Sequence, residues 1–294
     1  MKSMASNICS DLFRHVASAL LAMVPCLACA QTAESVPVLR PVTATYAVEA
    51  GSSHLADTYL TPLKYSGWSV ALDYERRQAM RFDPQRWVMR LAVSARAERA
   101  VNVSGNASMW YWGIDGSWGM TRRLMLTPAL SVGYGGSVSA TLGCVYSARN
   151  GNNPASARAA LTLDGTGYVA YRMTLAGVPV SLRYQPTLPV TGAFFSPDYG
   201  ELYYEIYLGN RSGLAHCAWW GNYFSLDNLL TADLQLGTTA LRLGYRFDFC
   251  TTRVNNITTR MFSHRAVVGI TGEWISLRPG KKVDPLARII SANY

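Results

Sequence analysis

From about Gly67 to Leu277 the chain alternates apolar and polar residues in segments of roughly ten, separated by turns. In Trp68-Ser69-Val70-Ala71-Leu72-Asp73-Tyr74-Glu75, one face takes Trp, Val, Leu and Tyr and the other Ser, Ala, Asp and Glu. A strand has a side-chain period of two, so every such segment presents one greasy and one polar face. Repeated behind a secretory leader, the pattern predicts an all-β fold: a transmembrane, antiparallel, up-and-down β-barrel of about twelve strands, within a range of ten to fourteen. The strands are expected at 67–76, 87–99, 108–117, 124–134, 137–147, 157–174, 178–186, 201–209, 215–223, 229–236, 240–249 and 266–276. A soluble sandwich could bury the same alternation, but Trp and Tyr at strand ends and the lack of a second apolar face argue against it.

The leader is residues 1–30. Lys2 and Arg14 supply positive charge, Val16 to Leu27 an apolar run, and Ala28-Cys29-Ala30 a small-residue cleavage site before Gln31. Acylation at Cys29 is disfavoured because Leu27 stands one position too close for the usual lipobox. The mature chain keeps Cys144, Cys217 and Cys250, with no Cys-x-x-Cys pair, so no zinc site or disulfide framework is indicated. Residues 31–66 form a periplasmic lead-in or a lumen plug, 67–277 the barrel, and 278–294 a basic periplasmic tail.

Turn lengths orient the barrel. Asn102 to Asn106, Gly135-Gly136, Leu175 to Gly177, Asn210 to Gly213 and Gly237 to Thr239 are short, most of them with Gly, and belong on the periplasmic side. Arg77 to Arg86, Ala148 to Ser156, Thr187 to Gly200 and Cys250 to Arg265 are the long outer loops. Both termini then lie in the periplasm of a Gram-negative bacterium, the barrel in its outer membrane. Parity turns Trp68, Val70, Leu72, Val93, Trp112, Leu142, Leu161, Leu230, Leu243, Val268 and Ile270 outward, with Tyr74, Trp87, Tyr134, Tyr146, Tyr245 and Trp274 as girdle aromatics.

The same parity lines the lumen with Asp73, Glu75, Arg90, Arg96, Glu98, Asp115, Arg158, Asp164, Arg172, Arg183, Glu205, Asp233, Arg242, Arg246 and Glu273. Mixed signs in a narrow lumen point to ion pairs that brace the wall; a solute-selective channel is the functional alternative. Removing Lys2, Arg14 and Asp11 with the leader takes the formal charge from +9 to +8. The arginines are spread singly along strands, which argues against nucleic acid and suits lipopolysaccharide phosphate or an anionic solute. Membrane lipid and the barrel-assembly machinery are the other expected partners.

Chemistry is sparse. Ser156, with His216 or His264 as base, is the one nucleophile arrangement on offer, and the reading leans away from an enzyme. Loop residues suited to binding a glycan or protein are Asn150, Asn152, Asn153, Phe194, Phe195, Asp198, Tyr199 and Glu201. No P-loop, His-Glu-x-x-His or calcium loop appears, so no cofactor or metal is expected. Three segments, Tyr59 to Trp68, Arg149 to Ser156 and Ser196 to Glu205, resemble an uncharacterised family of Bacteroides-type envelope proteins, domain of unknown function 3316. The resemblance implies a secreted envelope protein with barrel character and brings no activity or catalytic residue. The expected role is a small-solute channel or non-catalytic envelope component. Its alternatives are a lipid or lipopolysaccharide hydrolase and a surface binding module.

Overall fold

A computed structural model describes residues 38–275 apart from 152 and 211, together with residues 287–293. The expected signal peptide lies outside the described residues. The chain divides into two compact units, 39–282 with 289–294, and 1–38 with 283–288; of the second only Val38, Ala287 and Arg288 are described. The two-residue strands β1 (Val38–Leu39) and β13 (Arg288–Ile289) fall at the boundaries between units.

The first unit is a closed ring of ten antiparallel strands. They are β2 (Val42–Asp57), β3 (Tyr65–Ala79), β4 (Trp87–Asn102), β5 (Ser108–Met125), β6 (Leu130–Tyr146), β7 (Ala155–Leu175), β8 (Val178–Phe195), β10 (Tyr223–Leu236), β11 (Thr239–Val254) and β12 (Ile257–Trp274). Each pairs with the next; β8 pairs with β10, and β12 returns to β2 from Thr259↔Asp57 to Trp274↔Val42. Closure leaves no free edge, the condition for a sheet to satisfy its backbone in lipid. The strands are 14 to 21 residues long, more than the expected ten, so they reach beyond what a bilayer crossing needs.

Ten strands replace the expected twelve for three local reasons. Residues 42–57, expected in a lead-in or plug, form the wall strand β2. Ala44, Ala47, Ala50, Gly51, Ser52 and Ser53 blur its alternation, and its ladders to β3 and β12 impose the conformation. The segments expected at 108–117, 124–134 and 137–147 make two strands, because the turn falls at 126–129, where Thr127 Oγ1 accepts from the Ala129 and Leu130 amides at 3.2 and 2.9 Å. Gly135-Gly136 is no turn. It runs through β6 beside Gly133, whose missing side chain admits the Tyr168 ring. The segments expected at 201–209 and 215–223 lie outside the barrel ring, as the one-turn helix α1 (Tyr203–Tyr207) and the short β9 (Ala215–Ala218).

These shifts reassign the turns. Residues 80–86, 126–129, 176–177 and 237–238 share one end with both chain ends of the barrel. Residues 58–64, 103–107, 147–154, 196–222 and 255–256 share the other. Arg77 to Arg86 thus sits at the end expected for short turns, and Asn102 to Asn106 at the loop end, because β2 reverses the parity until the merged strands restore it. The expected outer loop Cys250 to Arg265 is mostly strand, closed by Asn255-Asn256 at φ 52 and 60°, a type I′ hairpin. In β8, Pro186 and Pro189 lack an N–H and lie an odd number of residues apart, so each edge loses a ladder bond. There the β8–β10 ladder ends at Asp227↔Thr187 and β9 pairs with β8 from Gly192 onward.

The barrel is inside out relative to a soluble protein. Trp68, Val70, Leu72, Val93, Trp112, Leu142, Leu161, Leu230, Leu243, Val268 and Ile270 are exposed on its exterior, as parity requires. At the loop end the lumen holds an apolar cluster of Leu55, Leu60, Tyr65, Met109, Tyr111, Val145 and Met261. Charged side chains fill its middle. At the other end residues 291–293 pack against the wall: Arg123 donates to the Ser291 carbonyl at 3.0 Å, and Asn293 to Glu273 at 3.1 Å. Ser291 and Ala292 are buried, so this part of the expected tail is packed into the barrel unit.

Glu49 is 1% exposed and binds Arg246 at 2.8 Å and Arg265 at 2.7 Å. Breaking a buried pair strands its partner, at about 3–5 kcal/mol. Arg265→Ala should therefore lower unfolding free energy by about that much in denaturant titrations of the detergent-folded barrel. Arg86→Ala, which removes an exposed contact of 4.0 Å to Asp83, should change it by less than about 1 kcal/mol.

Candidate functional site

The middle of the lumen is crossed by arginine–carboxylate braces. Arg246 on β11 binds Glu49 on β2 and Asp73 on β3 at 2.8 Å each, and Asp227 on β10 at 3.2 Å. Arg265 joins Glu49 and Asp248. Arg96 on β4 reaches Glu98 at 3.5 Å, Asp115 at 3.7 Å and, across the lumen, Asp248 on β11 at 3.6 Å. One layer nearer the terminal end, Arg242 grips Asp233 through Nε and Nη2 at 2.6 and 2.8 Å and reaches Glu75 at 3.3 Å. Glu75 also accepts Arg90 at 2.6 Å and is ion-paired with Arg77 at 3.1 Å. Each guanidinium is a rigid fork of donors, and strands four places apart in the ring are tied by it.

Asp73, Glu75, Arg90, Arg96, Glu98, Asp115, Arg158, Asp164, Arg183, Asp233, Arg242 and Arg246 face the lumen as their strand parity requires. Arg172 and Glu273 line a cavity of about 180 Å³ at the terminal end. Glu205 does not face the lumen: it lies on α1, where its carboxylate accepts the Leu202 amide at 3.1 Å. Two further lumen charges carry no parity signal of their own: Glu49 lies in β2, whose alternation small residues blur, and Arg265 lies in the stretch expected as an outer loop. Asp227 lies just ahead of the strand expected at 229–236, so that boundary leaves it out. A buried Glu or Arg at an inward position of a correctly bounded strand would have been found by parity.

Over the loop end, three connections lock together. Tyr59 donates from its phenol to the Glu201 carbonyl at 2.7 Å and accepts from the Asn153 amide. Tyr203 packs edge-on to Tyr59 at 6.0 Å and stacks on Phe195, and its hydroxyl accepts the Ala157 amide at 2.6 Å. Burial raises both phenols above their ordinary pKa, so they stay protonated. Asn150 donates to the Leu60 carbonyl at 3.4 Å. Glu201 is buried and accepts from the Asp198 amide and from Asn210 at 3.0 and 2.8 Å, so its role here is to hold loop 196–222. Phe194 is also buried, packed between His216 and Tyr223, while Tyr199 is exposed. Asn152 lies outside the described residues.

The serine and the histidines are not brought together by any described contact. Ser156 is buried and lies near the Asp57 carboxylate. His216 uses Nε2 toward the Ser196 carbonyl at 3.1 Å and Asn255 at 3.2 Å. His264 lies on the outer face among Tyr245, Phe247 and Phe262, with the wall between it and the lumen. No cluster of three metal-ligating side chains occurs among the described residues.

The interlocked segments are those whose residues carried the family resemblance, and a family model bears it out. Protein of unknown function (DUF3316) matches residues 16–281. The chain belongs to DUF3316. No curated protein matches its sequence. Among solved structures, the DUF3316 barrel is similar to the outer membrane protease OmpT from Escherichia coli. The TM-score is 0.45 at 7% identity, covering 83% of this chain and 99% of that one. For the translocator domain of the autotransporter NalP from Neisseria meningitidis the values are 0.37 and 11%, covering 92% and 98%. For Neisserial surface protein A they are 0.30 and 12%, covering 78% and 97%. None of these similarities assigns a residue role to the DUF3316 chain.

The loop cap depends on the Tyr59 hydroxyl, which ties two of the other connections. Tyr59→Phe keeps the ring packing and removes both polar contacts. It should speed limited proteolysis within 196–222 severalfold while heat-modifiable gel mobility reports an intact barrel.

Proposed function

We propose that this DUF3316 member is an outer-membrane barrel protein of a Gram-negative envelope, closed to bulk ion flow and acting as a non-catalytic envelope component. The observation that carries this reading is the set of braces from β11 to β2, β3 and β4 through the middle of the lumen. An open pore needs a continuous water path, and here guanidinium and carboxylate groups occupy its centre in contact with each other. The membrane location is supported by the exterior, where Leu72, Leu142, Val268 and Ile270 are more than half exposed while Glu49 and Glu98 are buried inside. That arrangement is costly in water and favourable in hydrocarbon, where an outward Arg at the midplane would cost roughly 2–4 kcal/mol. The terminal end then faces the periplasm and loop 196–222 the exterior, with a cleaved leader ahead of Gln31.

A second reading, a surface module that binds a glycan or protein, is favoured by loop 196–222. Tyr199, Tyr204, Tyr207, Trp219 and Trp220 are each more than 60% exposed there, and aromatic faces stack on sugar rings.

In planar bilayers the intact protein should give no conductance steps above background. Arg96→Ala combined with Arg246→Ala should give them, provided heat-modifiable mobility shows a folded barrel. Steady conductance by the unaltered protein would overturn the closed-lumen reading. Recovery of the protein from the soluble periplasm, and not from the outer-membrane fraction, would overturn the location.

A further inference from the structure

The braces fill only one side of the lumen. On the other side the wall is built from small residues, Ser139 and Thr141 on β6 and Ala160 and Thr162 on β7, and a cavity of about 200 Å³ remains against them. Of the charged groups lining it, Arg90, Arg96, Arg246 and Arg265 are each committed to a carboxylate, as are Asp73, Asp227 and Asp248 to an arginine. Arg158 and Asp164 are different. The described hydrogen bond of Arg158 runs from Nη2 to the Cys250 thiol at 3.4 Å, and none of the described ion pairs includes it. Asp57 lies within its electrostatic reach, but it accepts the Tyr59 amide at 3.0 Å and forms none of the described ion pairs with Arg158. Asp164 accepts from the Ser139 hydroxyl and has no cation partner among the described ion pairs. Asp115 accepts from Thr141 at 2.7 Å, has only a loose contact of 3.7 Å with Arg96, and leaves 36% of its side chain exposed.

These groups face a common space. Arg158, Asp115 and Asp164 all lie within electrostatic reach of the Tyr223 hydroxyl, which with Tyr111 completes the cavity lining. A guanidinium enclosed without a carboxylate keeps several donors unsatisfied, and an enclosed carboxylate without a cation keeps its acceptors. A cavity lined by one such guanidinium and the Asp115 and Asp164 carboxylates, together with phenol and hydroxyl groups, is complementary to a molecule with both charges. It has room for one of amino-acid size.

We infer that this cavity binds a small zwitterion, its carboxylate on Arg158 and its ammonium on Asp115 and Asp164. The site is inside the barrel and stands whether or not the lumen conducts. It would let a closed barrel hold a solute without passing a current.

The test is calorimetric titration of the full-length, detergent-folded protein with glycine, β-alanine and γ-aminobutyrate, using acetate and ethylammonium as single-charge controls. At least one amino acid should bind saturably and more tightly than either control. Arg158→Gln and Asp164→Asn should each weaken that binding by roughly thirtyfold or more, with Arg158→Lys intermediate. Absence of saturable binding by all three amino acids would overturn the inference. Acetate binding as tightly as the amino acids would do the same, as would affinities unchanged in folded Arg158→Gln and Asp164→Asn. Should a variant fail to fold, the comparison of amino acids with single-charge controls on the unaltered protein decides alone.

Discussion

A guanidinium removed from water needs acceptors, and in the middle of this barrel carboxylates supply them. Glu49, nearly without exposure, accepts both Arg246 and Arg265; Glu75 accepts Arg90 and Arg242 and is ion-paired with Arg77. Every strand from β2 to β4 and from β10 to β12 contributes a side chain to these contacts. Such pairs seldom add much net stability over apolar packing, but they are directional. A one-residue slip of β11 against β12 would turn Arg242 and Arg246 outward into the apolar face, so the braces fix register as well as filling space.

The asymmetry of the lumen follows from residue size. Where the facing strands supply Arg, the interior is filled; where β6 and β7 supply Gly, Ala, Ser and Thr, it stays hollow. The two ends are packed by different means. An apolar cluster with the interlocked loops covers one, and residues 289–293 pack into the other. On the hollow side Arg158 and Asp164 take part in none of the described ion pairs.

Much of this was legible in the chain. Alternation places Trp68, Leu72 and Ile270 outside and Asp73, Glu75 and Arg246 inside, and the structure agrees. Where the reading failed, local signals misled. Gly135-Gly136 reads as a turn but serves a strand that passes a tyrosine ring, and residues 201–209 alternate acceptably but sit in a loop that caps itself through Glu205. The wall strand β2 was missed because small residues erase its period. Glu49 was lost with it, and through Glu49 the organising contact of the lumen.

The sequence by itself determined the class of fold and the face of those charges that lie in correctly bounded strands, since a strand's period of two is a property of its own backbone. The tertiary structure alone decided the strand number, the closure of β2 against β12, and which arginine meets which carboxylate. Those depend on pairing between segments as far apart as Thr43 and Glu273, whose partners are chosen by register and ring geometry and leave no mark on either segment alone.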